Sequence, residues 1–594
     1  MSDATSLTHD MMQAAEQLTP VASLLGGAMI IIMLDLRKNM NVRAFLPFVA
    51  ILAILMAVGS LWSQLAVVPQ NGFVAAAGSL RMDGFSLWAS IIIAIGAGLS
   101  ILAVSGREGE AAPAAPGIAR RLPPPAEHYA LLLTATAGGM LQSMANDLLT
   151  ALVALETLSI PTYVLCASDP RRQTSAEAGL KYFMMGAFSS GVLIFGIVFF
   201  YGATGSLSLS PEKWLTFDPY YATLFQVQSH MDKGHEVGSM LGASPFFFYA
   251  AIALMLVGFV FKVGGVPFQQ WVPDVYTGAP TPVTSFMATV IKAAAFAFLV
   301  RVAATVFSTA QLDQISTQIV ELNQIRNRMG GVLQPSQEAH LRTLELTRQN
   351  LYDLITCWQN VLWILSAATM ILGNTVALVQ TNVKRMLAYS AIAHSGYLLM
   401  GVVAVVNQST DHASTDHVML GVAFYLLSYV LAAAGAFGVI GLLRKSGREL
   451  NTLDDFRGLA KERPSTALAM TLFMLSMAGF PPLGGFFGKY LVFRATIDAG
   501  FGKLAVLAIV TSIVSVFYYV GVVVVMYMKQ PPGLEPDPFA PLDEHGHPID
   551  PPTQISDPMA EPAWGSTVLV ALCGLGIVVL GVFAQKFLDH MSSM

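Results

Sequence analysis

The sequence predicts an all-α polytopic membrane protein with about 14 transmembrane helices, of which helices 7 and 12 are broken, and two inverted five-helix repeats. Three observations carry this expectation. Hydrophobic residues fill 54% of the 594 positions and charged residues only 12%, about half the charge with which soluble proteins cover their surfaces. Apolar runs near 20 residues recur along the chain, the length a helix needs to cross a hydrocarbon core about 30 Å thick. Loops alternate between rich and poor in Lys and Arg, as they do on the two sides of a membrane. Helices follow because every backbone polar group in lipid must find a partner within the protein, which open sheets do not provide.

Runs of that size fall near 18–36, 45–68, 84–105, 128–145, 147–168, 175–202, 246–275, 281–308, 356–380, 384–406, 417–443, 464–497, 502–528 and 564–588. Loops after odd-numbered runs hold Arg37, Lys38 and Arg43, then Arg107, Arg120 and Arg121, then Arg171 and Arg172, then Lys384 and Arg385, and finally Arg444, Lys445, Arg448, Arg457, Lys461 and Arg463. Loops after even-numbered runs hold only Arg81, Lys213, Lys233 and Lys503, apart from the long segment 309–352, whose length weakens its topological signal. The odd loops are therefore expected in the cytoplasm and both termini outside. Before the first apolar run stand Asp3, Asp10 and Glu16 with no Lys or Arg, which is not the pattern of a signal peptide.

Composition divides the chain further. Residues 1–127 form an N-terminal three-helix region ending in an Ala/Pro-rich linker over 106–127. Residues 128–308 and 356–528 form the two five-helix units, spans 4–8 and 9–13. Between them, Leu312, Ile315, Ile319, Leu322 and Ile325 recur at helical spacing before Met329-Gly330-Gly331 and a second helical stretch, so 309–355 is expected to be an external helical hairpin. Residues 529–563 are Pro-rich and acidic and read as an irregular cytoplasmic loop, in which His545 and His547 are solvated rather than metal-bound. Residues 564–594 supply the last transmembrane helix. The repeat rests on Gly-x-Pro at 265–267 and again at 479–481, five spans apart. Proline removes a backbone donor and breaks a helix. The expected breaks are Gly264, Gly265 and Pro267, and Gly479, Pro481 and Pro482. Five helices per unit would place the two units in opposite orientations, as in inverted-repeat transporters.

Ionisable residues within the spans are few, and each costs several kcal/mol unless paired or hydrated. Glu156 and Lys292 fall near the midplane. Lys262 precedes the first break and Lys489 follows the second, and His394 lies in mid-span. Lys181 is nearer a helix end, where snorkelling is an alternative. Arg301 and Arg494 also approach helix ends and are expected to snorkel or meet headgroups. Glu156 and Lys262 could form a pair in which a carboxylate loads or releases a proton on a buried amine. A line of lysines suits protons better than metal cations.

Other classes are excluded. Cys166, Cys357 and Cys573 are far apart, so no disulfide framework, Cys-x-x-Cys metal site or iron–sulfur spacing exists. No P-loop and no Gly-x-Gly-x-x-Gly follows a strand, so the chain is expected to hold no cofactor or metal of its own. A net charge of −5 without a basic stripe argues against nucleic acid.

The stretch from Phe261-Lys262-Val263-Gly264-Gly265-Val266-Pro267 through Trp271-Val272-Pro273-Asp274 to Pro280-Thr281-Pro282-Val283 resembles the antiporter-like membrane subunits of respiratory complex I. So do Lys384-Arg385-Met386-Leu387-Ala388-Tyr389-Ser390-Ala391-Ile392-Ala393-His394-Ser395-Gly396-Tyr397 and Gly484-Gly485-Phe486-Phe487-Gly488-Lys489. Lys292 in span 8 is similar to the subunit N type (mitochondrial subunit 2), where the sister subunits usually carry His. The resemblance covers roughly 18–528. It implies a proton-translocating subunit of NADH-quinone oxidoreductase in a prokaryotic inner membrane, among other membrane subunits of that complex. NADH, FMN, iron–sulfur clusters and quinone are then expected in partner chains. By resemblance Glu156 matches a glutamate that pairs with the span-7 lysine, Lys262 matches that lysine, and Lys181 a span-6 lysine. Lys292 likewise matches the central lysine of a lateral proton path, and Lys489 the lysine of its outward half. The rivals are a subunit of a multi-subunit cation/proton antiporter, a stand-alone solute transporter and a non-pumping scaffold.

Overall fold

A computed structural model describes residues 15–37, 40–68, 72–105, 125–169, 172–209, 245–306, 310–329, 332–406, 412–445, 448–530 and 563–593. Most of the linker 106–127, most of the loop 529–563 with His545 and His547, and Gly330-Gly331 lie outside the described residues. The described chain is helical apart from two short hairpins, β1 (Phe73–Ala75) with β2 (Leu80–Met82), and β3 (Arg444–Lys445) with β4 (Arg448–Glu449). The first half contains α1 (Thr19–Asp35), α2 (Met40–Leu65), α3 (Gly84–Ser105), α4 (Ala126–Met144), α5 (Leu148–Cys166), α6 (Gln173–Thr204), α7 (Pro245–Val263), α8 (Trp271–Gly278), α9 (Thr281–Phe286) and α10 (Lys292–Val306). The second contains α11 (Ala310–Arg328), α12 (Pro335–Ala377), α13 (Val383–Val406), α14 (His412–Leu442), α15 (Leu459–Glu462), α16 (Pro464–Ala478), α17 (Gly484–Asp498), α18 (Gly502–Met528), α19 (Trp564–Val582) and α20 (Ala584–Ser593).

Among the described residues, ten helices are long and apolar enough to cross a membrane, and α1, the Tyr249–Val263 stretch of α7 and α16 are shorter apolar helices. The two broken spans divide their apolar length between half-helices, so neither half spans alone. Helix α4 carries Thr134, Thr136, Gln142 and Ser143 and is buried among other helices, which relieves it of the need to be uniformly apolar. The most buried span runs from Thr281 to Val306, followed by Val383–Val406, whereas α18 presents Val506, Val510, Ile513 and Phe517 outward. In lipid, helices associate by close packing rather than by hydrophobic burial. At Gly138 a methyl group would come within 2.5 Å of the Leu158 backbone nitrogen, so glycine sets the approach of α4 to α5.

The loops gather at two ends. At one, Thr281 and Lys384 meet the β3–β4 hairpin, Val383 N–H donates to Asn451 O (2.7 Å), and Gly458 N–H donates to Val525 O (3.4 Å). At the other, Asn146 N–H donates to Ser79 O (2.8 Å) and Leu209 N–H to Asn146 O (2.9 Å).

Arg301 corrects an expectation. It neither snorkels nor faces headgroups: it is 2% exposed and donates both terminal amino groups to Asp83, at 3.0 and 2.9 Å, while its Nε donates to Ser143 O at 3.3 Å. Asp83 also caps α3, accepting from Ser86 N–H at 2.8 Å. An arginine near a helix end has no partner visible in its own span, and the carboxylate comes from a loop about 220 residues earlier. Arg494, by contrast, is exposed beside Asp498 at 3.6 Å, as a helix-end residue should be.

Helix α11 packs beside the start of α12, so the second arm of the expected hairpin is not a separate element. Helix α12 runs unbroken for 43 residues, roughly 65 Å at 1.5 Å per residue, or about twice the hydrocarbon thickness. Its first half packs beside α11, with a small apolar cluster of Ile319, Leu333 and Leu341 between them. Pro335 at its first turn and a Gln334/Gln337 capping box set its start.

The Asp83–Arg301 pair generates a stability prediction. Asp83→Leu strands a buried guanidinium and is expected to destabilise the fold by about 3–5 kcal/mol, whereas Asp83→Leu with Arg301→Met recovers most of the loss. Thermal unfolding in detergent measures both. Burial pushes the Asp83 carboxyl up, but the charge and hydrogen bonds of Arg301, with Ser86 and Arg81, outweigh it and hold it below the ordinary carboxylate range. Its contribution is thus complete above about pH 4 and is lost as pH falls through the lower folded value.

Candidate functional site

Helix α7 ends at Val263. Gly264 takes φ +70°, a conformation open to glycine, and the chain turns before α8. The carbonyls freed at this end are satisfied by side chains: Trp271 Nε1 donates to Phe261 O (3.1 Å) and Ser395 Oγ to Val263 O (2.6 Å). Lys262, in the last turn and 6% exposed, donates to Ser159 Oγ (2.8 Å) and Tyr163 OH (3.2 Å) of α5, and its ammonium stands 5.5 Å from the centre of the Tyr163 ring. Positive charge is favoured at a helix C-terminus and over an aromatic face.

Glu156 does not pair with Lys262. Its Oε1 accepts from Ser190 Oγ of α6 at 2.5 Å, and no ion pair joins the two. The spacing explains the near miss: Glu156, Ser159 and Tyr163 lie at i, i+3 and i+7 on α5, one face of a helix. The lysine meets that face one turn beyond the carboxylate.

Lys292 sits at the centre of the most buried span. Just before it the helix widens into a π turn, Met287–Ile291, a feature frequent at functional sites. Gly96 of α3 makes room, since a methyl group there would lie 3.1 Å from Val290 and 3.2 Å from Thr289. The Lys292 ammonium donates to Ala391 O of α13 and stands 5.3 Å from the centre of the Tyr429 ring. Ser395 Oγ donates to the same Ala391 carbonyl (3.1 Å) and to Val263 O, joining the break beside Lys262 to the carbonyl that holds Lys292.

The second break repeats the first in outline. Gly479 takes φ +93° after α16. Lys489, on α17, reaches back to cap that helix, donating to Ala478 O (3.1 Å) and to Ser512 Oγ (2.9 Å), with the Tyr397 ring centre 5.2 Å away. A methyl group at Gly485 would meet Ser476 O at 2.0 Å, so the half-helices can overlap only with glycine there.

Between Lys292 and Lys489 stands His394, 3% exposed. Both ring nitrogens meet tyrosine hydroxyls, Nδ1 with Tyr425 at 2.6 Å and Nε2 with Tyr519 at 3.0 Å. The rings of Tyr429 and Tyr397 lie 4.8 and 5.9 Å from it, centre to centre. Lys262, Lys292 and Lys489 thus have hydroxyl, carbonyl and ring partners and no carboxylate partner among the described residues. An amine so held can take up or give up a proton without breaking an ion pair.

Lys181 stands apart from this row. It is half-exposed at one end of the bundle, 2.7 Å from Glu177 and 3.5 Å from Asp274, which Arg385 also holds at 2.8 Å. At the same end the buried Glu449 accepts from Thr281 Oγ1 (2.9 Å) and lies 3.5–3.6 Å from Arg172, Lys384 and Arg444. This network ties the first residue of α9 to the start of α13.

Sequence reasoning missed Ser159, Tyr163, Tyr425, Tyr429, Tyr519 and Ser512. A signal existed for three of them: Ser159 and Tyr163 share the helical face of Glu156, and Tyr519 follows Ser512 and Ser515 on one face of α18. Nothing local marks Tyr425. If Ser159 rather than Glu156 is the direct partner of Lys262, replacements of Ser159 and Lys262 are expected to be strongly non-additive on transport rate, and those of Glu156 and Lys262 more nearly additive. Double-mutant cycles with Ser159→Ala, Glu156→Gln and Lys262→Gln compare the two couplings.

The transmembrane family described as NADH:quinone oxidoreductase/Mrp antiporter matches residues 145–325 and 342–515. NADH-quinone oxidoreductase subunit N of Salinibacter ruber is 34% identical over 573 residues, 96% of this chain and 93% of its own. The subunit N of Trichlorobacter lovleyi is 35% identical over 484 residues, 80% and 82% of the two chains. Among solved structures, a chain of respiratory complex I from Thermus thermophilus with bound aureothin superposes with a TM-score of 0.64 at 29% identity, covering 96% of this chain and 98% of that one. A chain of the Mrp complex from Dietzia sp. DQ12-45-1b shares the fold, with a TM-score of 0.68 at 18% identity, covering 98% and 96%. By sequence and by fold, this multi-pass membrane protein belongs to the NADH:quinone oxidoreductase/Mrp antiporter family of membrane subunits, and within it to the subunit N group.

Proposed function

We propose that the chain moves protons across the membrane as subunit N of an NADH-quinone oxidoreductase, with NADH oxidation, electron transfer and quinone reduction in partner subunits that carry the FMN and iron–sulfur clusters. The observation that carries this reading is the buried file Lys262, Lys292, His394 and Lys489, each held by neutral groups. Subunit N relatives over nearly the whole chain favour it over a cation/proton antiporter. Protons enter by Lys262, cross at Lys292 and His394, and leave by Lys489. Glu156 biases Lys262 from the same helical face, and Lys181 with Asp274 lies at the entry side.

In this reading the Glu449 end, rich in Arg and Lys, faces the cytoplasm and the Asp83 end faces outward with both termini, in the inner membrane of a prokaryote. Ten of the 14 spans form two inverted units, 128–308 and 356–528. Opposed glycine-led breaks beside Lys262 and Lys489 support that symmetry. Moving a charge fully across works against about 2.3 kcal/mol per 100 mV, so the two half-paths cannot be open together. A proton on one buried lysine disfavours a proton on the next, which provides the gating.

Two measurements test this. Purification through a tag on this chain is expected to bring flavin and iron–sulfur subunits with it, whereas recovery of antiporter subunits alone refutes the assignment. Lys262→Ala and Lys292→Ala are expected to lower proton pumping in the assembled complex by about tenfold or more. Full pumping with normal assembly overturns the proton path.

A further inference from the structure

The two hydroxyls on His394 have a chemistry that the lysine file alone does not use. A neutral imidazole has one N–H donor and one bare acceptor nitrogen. Both nitrogens are bonded, so one tyrosine donates to the ring while the other accepts from it. The two tyrosines come from different helices. Tyr519, on α18, hydrogen-bonds Ser390, the residue before the Ala391 whose carbonyl holds Lys292. Tyr425, on α14, packs on α17 at Gly488, where a methyl group would lie 2.8 Å from its ring, beside Lys489. The ring therefore joins a hydroxyl of α18, bonded to Ser390 of α13, to a hydroxyl of α14 that packs on α17.

Charge decides how such a ring works. Lys292 and Lys489 each stand over a tyrosine ring, Tyr429 and Tyr397, that itself packs on His394. An imidazolium there would be a third cation in a low-dielectric interior, repelled by both ammonium groups. A neutral ring avoids this.

We propose that Tyr519 and Tyr425 are further catalytic residues of proton transfer and that His394 relays each proton between them by exchanging tautomers. The proposal rests on the proton-path reading above. Written from the Lys292 side, the Tyr519 O–H bond breaks as its proton bonds Nε2, and the Nδ1–H bond breaks as that proton bonds the Tyr425 oxygen. The original Tyr425 proton leaves toward Lys489, and the Tyr519 oxygen takes a replacement from the Lys292 side. One proton enters, one leaves, no electrons are exchanged, and the ring ends neutral in the other tautomer. A second proton follows only after the ring and hydroxyls turn back, so each reset admits one proton.

The test uses the whole complex in inverted membrane vesicles, with complex content fixed by flavin and iron–sulfur signals. Tyr519→Phe and Tyr425→Phe keep the rings and remove the hydroxyls. Each is expected to lower proton pumping about tenfold or more, and the double variant no further than the worse single, because the hydroxyls act in series. Pumping within about twofold of the parent, with normal complex content, overturns the relay. Lys292→Ala in the same assay separates the two failures: if it pumps normally the path itself is wrong, and if only it fails the relay alone is wrong. Difluorotyrosine at position 519 keeps ring and hydroxyl but makes the hydroxyl more acidic. It is expected to shift the pH profile of pumping downward, which a merely structural hydroxyl would not do. This second measurement also decides the matter if either phenylalanine variant fails to assemble, since an unshifted profile overturns the relay.

Discussion

Holding a positive charge in a dry interior is the constraint on which this structure depends. Moving an ammonium group out of water costs several kcal/mol even after relaxation, and three such groups, Lys262, Lys292 and Lys489, are at most 6% exposed. Carboxylate partners would stabilise the charge but would also fix it. The protein uses partial charges instead. Lys489 caps the carbonyl end of α16, Lys262 lies in the last turn of α7, and Lys292 takes a carbonyl from the middle of α13. Aromatic faces complete each site. The broken helices thus place carbonyl ends beside two of the three ammonium groups.

The same constraint explains what holds the frame. Formal ion pairs lie at the ends, away from the lysine file. Asp83 with Arg301 fixes one end of the central span, and Glu449 with Thr281 and its three cations fixes the other. Both pairs connect distant parts of the chain. Between them the π turn gives the central span one local irregularity, immediately before Lys292.

Helix α13 is the spine of the site. Ala391, His394, Ser395 and Tyr397 present, in turn, a carbonyl to Lys292, a ring to two tyrosines, a hydroxyl to the α7 break and an aromatic face to Lys489. That helix is buried on nearly every side, and so can serve both halves of the molecule at once.

The sequence by itself determined the class, a helical multi-pass membrane protein, and which ionisable residues lie in long apolar runs. Composition demands lipid, apolar length demands helices, and Gly-x-Pro demands breaks, because each is a local property. Lys262, Lys292, Lys489 and His394 are legible for the same reason: an ionisable residue in a long apolar run has no innocent local explanation. Partners are not local. That Lys262 meets Ser159 and not Glu156 turns on one helical turn of register between α5 and α7. That Arg301 is buried turns on a carboxylate from a distant loop, and that His394 lies between two tyrosine hydroxyls turns on the packing of α13, α14 and α18. In a membrane these contacts are set by close packing of helices over small residues such as Gly96, Gly138 and Gly485, and tertiary structure alone decides which side chains then face one another.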